Sequence, residues 1–195
     1  MTELLISTQR LRLRRLRQDD AAALSGYRCL PEVAKYQSWT SFDISDANQL
    51  ISDQQFIQLA TPGSWTQLMI VLADSDEPIG DCGIHFLENA HDVELGITLN
   101  PGFQRSGIAS EAIEAVLSYL FDHLNVRRVT ATTDAENAPA QRLFQRLGFR
   151  QEAHFIENVW FKGSWGSELH FAMLQSEWRD RALRPRFTLR VAVDQ

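Results

Sequence analysis

The segment from residue 93 to residue 133 limits the possible folds of this chain more than any other feature. It begins with the strand-like run VELGITL (93–99) and passes through the loop NPGFQRSG (100–107). A stripe of apolar residues at helical spacing follows, and the strand-like run VRRVTATT (126–133) closes the segment. A strand, a crossover helix and a second strand in this order predict a parallel pair with a right-handed connection. The chain should therefore fold with a parallel crossing at its centre.

The flanking segments predict antiparallel strands around this crossing. Alternation of apolar and polar residues, with short turns between the runs, favours strands over 9–16, 64–73, 79–87, 154–161 and 168–174. Helical spacing and capping residues favour helices over 19–30, 45–59 and 137–148, in addition to the crossover helix. We therefore predict an α/β (α+β) fold with a mixed, mainly antiparallel sheet of about seven strands and about four helices.

Composition limits the number of domains and the classes of partner. The chain has 195 residues, of which 44% are hydrophobic, and it contains no repeat or Gly/Ser linker, so we expect one domain over residues 1–195. The formal net charge of -6 argues against a nucleic-acid-binding protein, which needs clustered basic residues. Arginines do cluster in 10–17 and in 179–186. We interpret both clusters as solvated faces and salt bridges.

Cysteines and apolar runs indicate the compartment. Cys29 and Cys82 lie far apart without metal-ligand spacing, so we expect free thiols and neither a disulfide scaffold nor a zinc site. His85, Glu88 and His91 are spaced by three but straddle a strand end and a turn, so we expect no metal there. The sequence shows no apolar stretch of signal-peptide length and none near the ~18 residues of a membrane span. We expect a cytoplasmic protein without a membrane partner.

The loop before the crossover helix predicts an anion site. A helix start presents unpaired backbone N–H groups and the positive end of the helix dipole, and both favour a phosphate or diphosphate. Gly107 would let an anion approach the main chain closely, and Arg105 would add a positive charge. A purely structural turn is the alternative. The spacing of Gly102 and Gly107 does not fit the dinucleotide fingerprint, and the Gly-Lys-Ser/Thr of a P-loop is absent.

Two motifs in order resemble one known family. The run QRSGIA (104–109), between a strand and an amphipathic helix, resembles the pyrophosphate loop of the GNAT superfamily of acetyl-coenzyme A dependent N-acetyltransferases. The run NAPAQRLFQRLGF (137–149) is similar to a downstream element of the same family. The segments TQRLRLRRLRQDDAAAL (8–24) and WFKGSWGSELHFAMLQSEW (160–178) are similar to its ribosomal-protein N-terminal acetyltransferase branch, which acetylates alanine and serine termini.

The resemblance implies where acetyl-coenzyme A, the co-substrate, binds. The strand before the loop and the strand after the helix should splay apart, and the pantetheine arm should enter the gap beside Ile97, Thr98 and Leu99. The diphosphate should lie on the loop residues Gln104, Arg105, Ser106, Gly107, Ile108 and Ala109. Asn137 and Phe144 complete the implied cofactor-binding set, and a plain helix N-cap is the alternative for Asn137.

The acceptor implied by the family is a primary amine, either a protein N-terminus or a small amine. An amine that is partly protonated at neutral pH must lose a proton before it attacks a thioester, so a base is required. Glu94, in the strand that should flank the thioester, is our candidate for the base, and an exposed strand residue or salt-bridge partner is the alternative. A backbone N–H at a bulge near residues 97–99 is the expected donor to the oxyanion.

Two residues depart from the family pattern and keep other functions open. Phe144 stands where many members carry a tyrosine, and Ala140 stands where the motif usually has serine, so no general acid is assigned. A coenzyme A binding module that does not catalyse transfer is therefore the alternative function. A structural domain without a ligand is a third possibility. The sequence leaves monomer and homodimer equally open.

Overall fold

The fold is described from a computed structural model, which describes residues 4–89, 91–182 and 190–193. The strands are β1 (Leu4–Ser7), β2 (Leu11–Arg15), β3 (Ser64–Leu72), β4 (Pro78–Phe86), β5 (Asp92–Leu99), β6 (Arg128–Asp134), β7 (Arg150–Phe161), β8 (Ser164–Leu174) and β9 (Arg190–Val193). The helices are α1 (Ala21–Arg28), α2 (Pro31–Ala34), α3 (Ile44–Gln54), α4 (Ile108–Ser118), α5 (Ala138–Arg146) and α6 (Gln175–Ala182).

All nine strands of the described part join one sheet in the order β7-β8-β6-β5-β4-β3-β2-β1-β9. Every neighbouring pair is antiparallel except β5 and β6, which are parallel. The predicted mixed sheet with one parallel crossing is thus confirmed. The sheet has nine strands, two more than the seven expected. The sequence pattern does not predict β1 and β9, because each has only four residues, too few to show a clear alternation.

Helices cover both faces of the sheet. Apolar residues of α4 and α5 join the larger core cluster with the sheet residues Ile84, Leu95 and Val129. Residues of α1 and α3 form a smaller cluster with Met69 and Val71 on the opposite face. The crossover helix was therefore correctly predicted to face a core. The helix expected over 45–59 is shorter than predicted, and α3 ends at Gln54.

The first arginine cluster is more than a solvated face. Arg14 is 4% exposed and donates two hydrogen bonds of 2.7 and 2.8 Å to Asp20, which is 2% exposed. The pair fixes the turn between β2 and α1. Residues 183–186 of the second cluster lie outside the described residues. Among the helices that are described, none has both the length and the apolar character that crossing a membrane requires.

Gly80 sets the position of β5 where that strand runs into the loop. A Cβ at Gly80 would overlap the Thr98 carbonyl oxygen and lie 2.5 Å from Cδ2 of Leu99. We expect Gly80→Ala to lower the free energy of unfolding by about 1–3 kcal/mol, the usual cost of overpacking, because a backbone atom has to move. Denaturant unfolding measures this change.

Gly26→Ala is the matched control for that variant. Gly26 lies inside α1, and nothing lies within 4 Å of the Cβ that alanine would add. Since alanine is the better helix former, this change should leave stability equal or raise it by up to about 1 kcal/mol. Equal destabilisation by both variants would contradict the role given to Gly80.

Candidate active site

The parallel strands separate at the centre of the sheet. Pairing of β5 with β6 extends only from Asp92–Arg128 to Glu94–Thr130, and residues 95–99 have no partner on that side. Beyond this point β6 continues to pair with β8 as far as Asp134. The Thr130 hydroxyl donates a 3.2 Å hydrogen bond to the Val93 carbonyl where the strands separate. The gap predicted beside residues 97–99 is therefore present.

The start of α4 lies at the open end of this gap and presents unpaired backbone donors. The amides of Arg105, Ser106, Gly107, Ile108 and Ala109 make no hydrogen bond to any other residue that the structure describes. The amide of Gln104 is already bonded to the Pro101 carbonyl at 3.2 Å. Five of the six predicted loop amides are thus available to an anion. The side chain of Gln104 is also engaged, because it donates to the Leu99 carbonyl at 3.1 Å.

Two left-handed residues give the loop its shape. Arg105 has φ 61° and Gly107 has φ 83° and ψ -2°. Alternation of left-handed and right-handed residues turns successive N–H groups toward one point, a concavity that suits an anion. Gly107 is also the residue before the first turn of α4, so the helix dipole points its positive end at the same place.

We expect Gly107→Ala to weaken coenzyme A binding about five- to thirtyfold, because a left-handed alanine costs about 1–2 kcal/mol. Isothermal titration calorimetry with coenzyme A measures the change. Gly102→Ala, in the same loop, is the control, since Gly102 has no positive φ and its added Cβ would lie 3.6 Å from Asn100. Similar losses in both variants would contradict a specific need for glycine at 107.

The structure brings to this loop one residue that sequence reasoning did not select. Arg10, between β1 and β2, donates a 3.1 Å hydrogen bond to the Ser106 carbonyl and forms a 2.6 Å ion pair with Glu111 in the first turn of α4. Half of its side chain is exposed. Its contacts lie about 100 residues away along the chain, so no local pattern could reveal them.

Glu94 lies on the face of the sheet covered by α1 and α3, at the point where β5 and β6 separate. Its carboxylate is 3.8 Å from Nδ1 of His85, its cross-strand neighbour on β4. The His85 ring stacks on Trp65 with centroids 4.7 Å apart and an interplanar angle of 12°. The Glu94 side chain is 29% exposed, so it is open to an incoming group while an aromatic pair borders it.

Open space at Gly96 follows Glu94 along the same face. Gly83 on β4 and Gly96 on β5 pair across the strands. The Trp65 ring covers Gly83, whereas no atom lies within 4 Å of the Cβ that alanine would add at Gly96. Alternation puts Glu94 and Thr98 on either side of the open space at Gly96. A carboxylate beside open space and an aromatic wall is suited to receive an ammonium group.

A buried carboxylate lies farther along this face. Asp81 is 1% exposed and accepts hydrogen bonds from the Tyr27 hydroxyl, the Gln67 amide and two nitrogens of Arg28. The Arg28 guanidinium lies 4.5 Å from the Trp39 ring centroid and 4.9 Å from that of Phe42. Burial, assisted by Asp81, raises the pKa of Tyr27 well above its ordinary value. This cluster holds α1 against β4.

The remaining predicted residues have structural partners. Asn137 caps α5, since its side-chain oxygen accepts a 3.2 Å hydrogen bond from the Ala140 amide. Phe144 is 3% exposed and packs between Phe149 and Phe171, with centroids 5.3 and 5.8 Å away. The expected bulge near residues 97–99 is wrong, because the register of β4 and β5 is continuous from Gly80–Leu99 to Phe86–Val93.

Metal-ligating residues do not cluster in the part of the chain that the structure describes. It shows no group of three His, Cys, Asp or Glu side chains that could hold a metal ion. His85 instead stacks on Trp65 and faces Glu94. Cys29 and Cys82 are free thiols, as expected, and burial raises the pKa of Cys82.

Comparisons with known proteins agree with this geometry. The family model described as an acetyltransferase (GNAT) domain matches residues 10–150. The uncharacterised N-acetyltransferase p20 of Bacillus licheniformis is 32% identical over 173 residues, which cover 88% of this chain and 96% of that protein.

Solved structures share the fold. An acetyltransferase of the GNAT family from Bacillus anthracis is 26% identical, with a TM-score of 0.80 over 89% of this chain and 99% of that one. A putative ribosomal-protein-serine acetyltransferase from Vibrio cholerae has a TM-score of 0.74 at 24% identity, over 87% of this chain and 97% of that one. The resemblance inferred from the loop and the downstream element is confirmed. The chain belongs to the GNAT acetyltransferase family and is an acyltransferase of the N-acetyltransferase type.

Proposed function

We propose that this protein transfers the acetyl group of acetyl-coenzyme A directly to a primary amine while both substrates are bound. The observation that carries this proposal is the free row of amides from Arg105 to Ala109, next to the gap between β5 and β6. Donors at a helix start bind a diphosphate, and a strand edge without a partner can pair with an extended amide-containing arm. Glu94 lies where the gap begins.

Glu94 is proposed as the base for the acceptor. A carboxylate at this position accepts a proton from the acceptor ammonium, directly or through water, and the freed amine attacks the thioester carbonyl carbon. The C–N bond forms as the C–S bond breaks, and the products are an amide and the thiol of coenzyme A. Phe144 cannot donate a proton to the departing thiolate and is buried, so that proton comes from water.

The oxyanion of the tetrahedral intermediate needs a donor. No bulge supplies one, but the edge of β5 that faces β6 is open from residue 95 to residue 99. We propose that a backbone N–H on this edge donates to the oxyanion, since a fixed amide costs no reorganisation during the reaction. Leu99 also holds the Gln104 side chain through its carbonyl, which ties the edge to the phosphate loop.

Free-thiol release from acetyl-coenzyme A, with mass spectrometry of the products, tests this function. The acceptors are peptides with free alanine or serine N-termini, the same peptides with blocked N-termini, and small amines including a polyamine. Release with free but not blocked peptides would identify a protein N-terminus as the acceptor, and release with the small amines would identify a small-molecule enzyme.

Failure of the assay would have two distinct meanings. Tight binding of coenzyme A with no turnover for any amine would favour the binding module that does not catalyse transfer. No thermal shift on adding coenzyme A would favour a domain without this ligand, because a ligand that binds the folded state must raise the melting temperature. Family membership and the open space beside Glu94 favour turnover. One domain over residues 1–195, a cytoplasmic location and a monomer or homodimer stay predictions.

A further inference from the structure

Arg10 joins the β1–β2 connection both to the loop that precedes α4 and to the first turn of α4. Its Nε and Nη2 atoms each lie 2.6 Å from Oε2 of Glu111, and its Nη1 donates to the Ser106 carbonyl at 3.1 Å. The backbone N–H of Arg10 and the hydroxyl of Thr8 both donate to Oε1 of Glu111. Glu111 is therefore fully engaged, and its side chain is only 12% exposed.

The bond to Ser106 fixes the direction of a neighbouring amide. In a trans peptide the C=O of one residue and the N–H of the next point in opposite directions. Because the Ser106 carbonyl points to Arg10, the Gly107 N–H points away from Arg10. That amide is one of the unpaired donors of the loop. Arg10 thus holds a donor of the anion site in a receptive orientation.

The bond to Glu111 removes an electrostatic obstacle. A carboxylate in the first turn of α4 lies close to the place where a diphosphate would bind, and like charges repel at that distance. Pairing with a guanidinium offsets this charge, and the same guanidinium lies beside Gly107, with Nη2 of Arg10 3.6 Å from where a Cβ at Gly107 would be. The same contact fastens the β1–β2 connection to the helix start.

We propose that Arg10 is a positioning residue that keeps the phosphate loop in its binding conformation through Ser106 and Glu111. This inference rests on the proposed acetyl transfer and adds a residue to it. Arg10 acts on the phosphate-bearing part of the donor only. It lies at the loop end of β5 and contributes nothing to the acceptor face around Glu94.

The test compares two donors, acetyl-coenzyme A and S-acetylpantetheine, which carries the thioester without any phosphate. We expect Arg10→Ala to raise KM for acetyl-coenzyme A about tenfold or more, since charged hydrogen bonds are lost, with kcat within about twofold. With S-acetylpantetheine, kcat/KM should stay within about twofold of the wild-type value. Equal losses on both donors, or no loss on either, would overturn the proposal.

Two further variants separate positioning from simple charge. Glu111→Gln removes the carboxylate together with the partner that holds Arg10. Because Arg10 already offsets that charge, the loss of the partner should dominate and raise KM for acetyl-coenzyme A, and a lower or unchanged KM would refute positioning. Arg10→Lys should fail to restore KM, because an ammonium cannot reproduce the fork that reaches both Glu111 and Ser106. Complete rescue of KM by lysine would count against positioning by Arg10.

Arg127→Ala is the control for the loss of a surface arginine. Arg127 is 61% exposed and pairs with Asp92 at 2.8 Å, at the end of β5 opposite to the loop. Arg127→Ala should leave kcat/KM unchanged for both donors. If the wild-type protein turns over neither donor, the proposed function fails and the positioning role of Arg10 fails with it. Turnover of both donors with no effect of Arg10→Ala refutes the positioning role alone.

Discussion

Glu94→Gln is expected to lower kcat/KM for the acceptor amine about 10²- to 10⁴-fold, the range typical of a lost general base. Glutamine keeps the size of the side chain and its contact with His85 but cannot take up a proton. The deficit should be largest at low pH, where the amine is mostly protonated, and should shrink as pH rises and the amine needs no base. Initial rates measured from about pH 6 to about pH 9, on both sides of neutrality, check this.

The matched control is Glu77→Gln at the exposed turn between β3 and β4, which should not change the rate. If Glu94→Gln has the same pH profile as the wild type, Glu94 is not the base. In that case the half-buried Glu94 carboxylate binds the acceptor by charge alone, and the loss would appear in KM for the amine and not in kcat.

Asp81→Asn should have the largest effect on stability, lowering the free energy of unfolding by about 3–5 kcal/mol, because Arg28 is left as a buried charge without its partner. Arg28 is 6% exposed and bonds to Asp81 at 2.6 and 3.1 Å. Asparagine also turns an N–H₂ group toward donors of Tyr27, Arg28 or Gln67, so at least one hydrogen bond becomes a repulsive contact. Denaturant unfolding at neutral pH measures the loss.

Asp92→Asn is the control, since Asp92 also pairs with an arginine through two short hydrogen bonds, but that arginine is exposed. A pair with an exposed partner contributes about 1 kcal/mol or less. A difference of less than about 1 kcal/mol between the two variants would show that the Asp81 cluster does not anchor α1 to the sheet.

The parts of the fold that follow from local patterns were predictable. Residues 93–133 contain, in order, the patterns of a strand, a loop with Gly107, an amphipathic helix and another strand. The parallel crossing follows from this order. The helix predicted over 137–148 ends before Gly148, whose φ of 81° is the left-handed conformation that commonly ends a helix. The short strands β1 and β9 were missed because four residues cannot display a period.

The parts of the site that depend on distant contacts were not predictable. Arg10 belongs to a basic cluster in the sequence, and only the folded chain shows that it binds Glu111 and Ser106. The His85 and Trp65 pair beside Glu94 depends on strand register, which sequence pattern does not determine for two central strands. Phe144 was placed with the cofactor through the family motif, yet the Phe149 and Phe171 rings bury it.

The central claim is that free amides at the start of α4 hold the diphosphate of a thioester donor whose acyl end reaches the gap between β5 and β6. A titration of ¹⁵N-labelled protein with coenzyme A, followed by amide chemical shifts, tests it most directly. The amide signals of Arg105 to Ala109 should move most, followed by those of residues 95–99. Saturable binding that leaves these signals in place and moves others would contradict the claim.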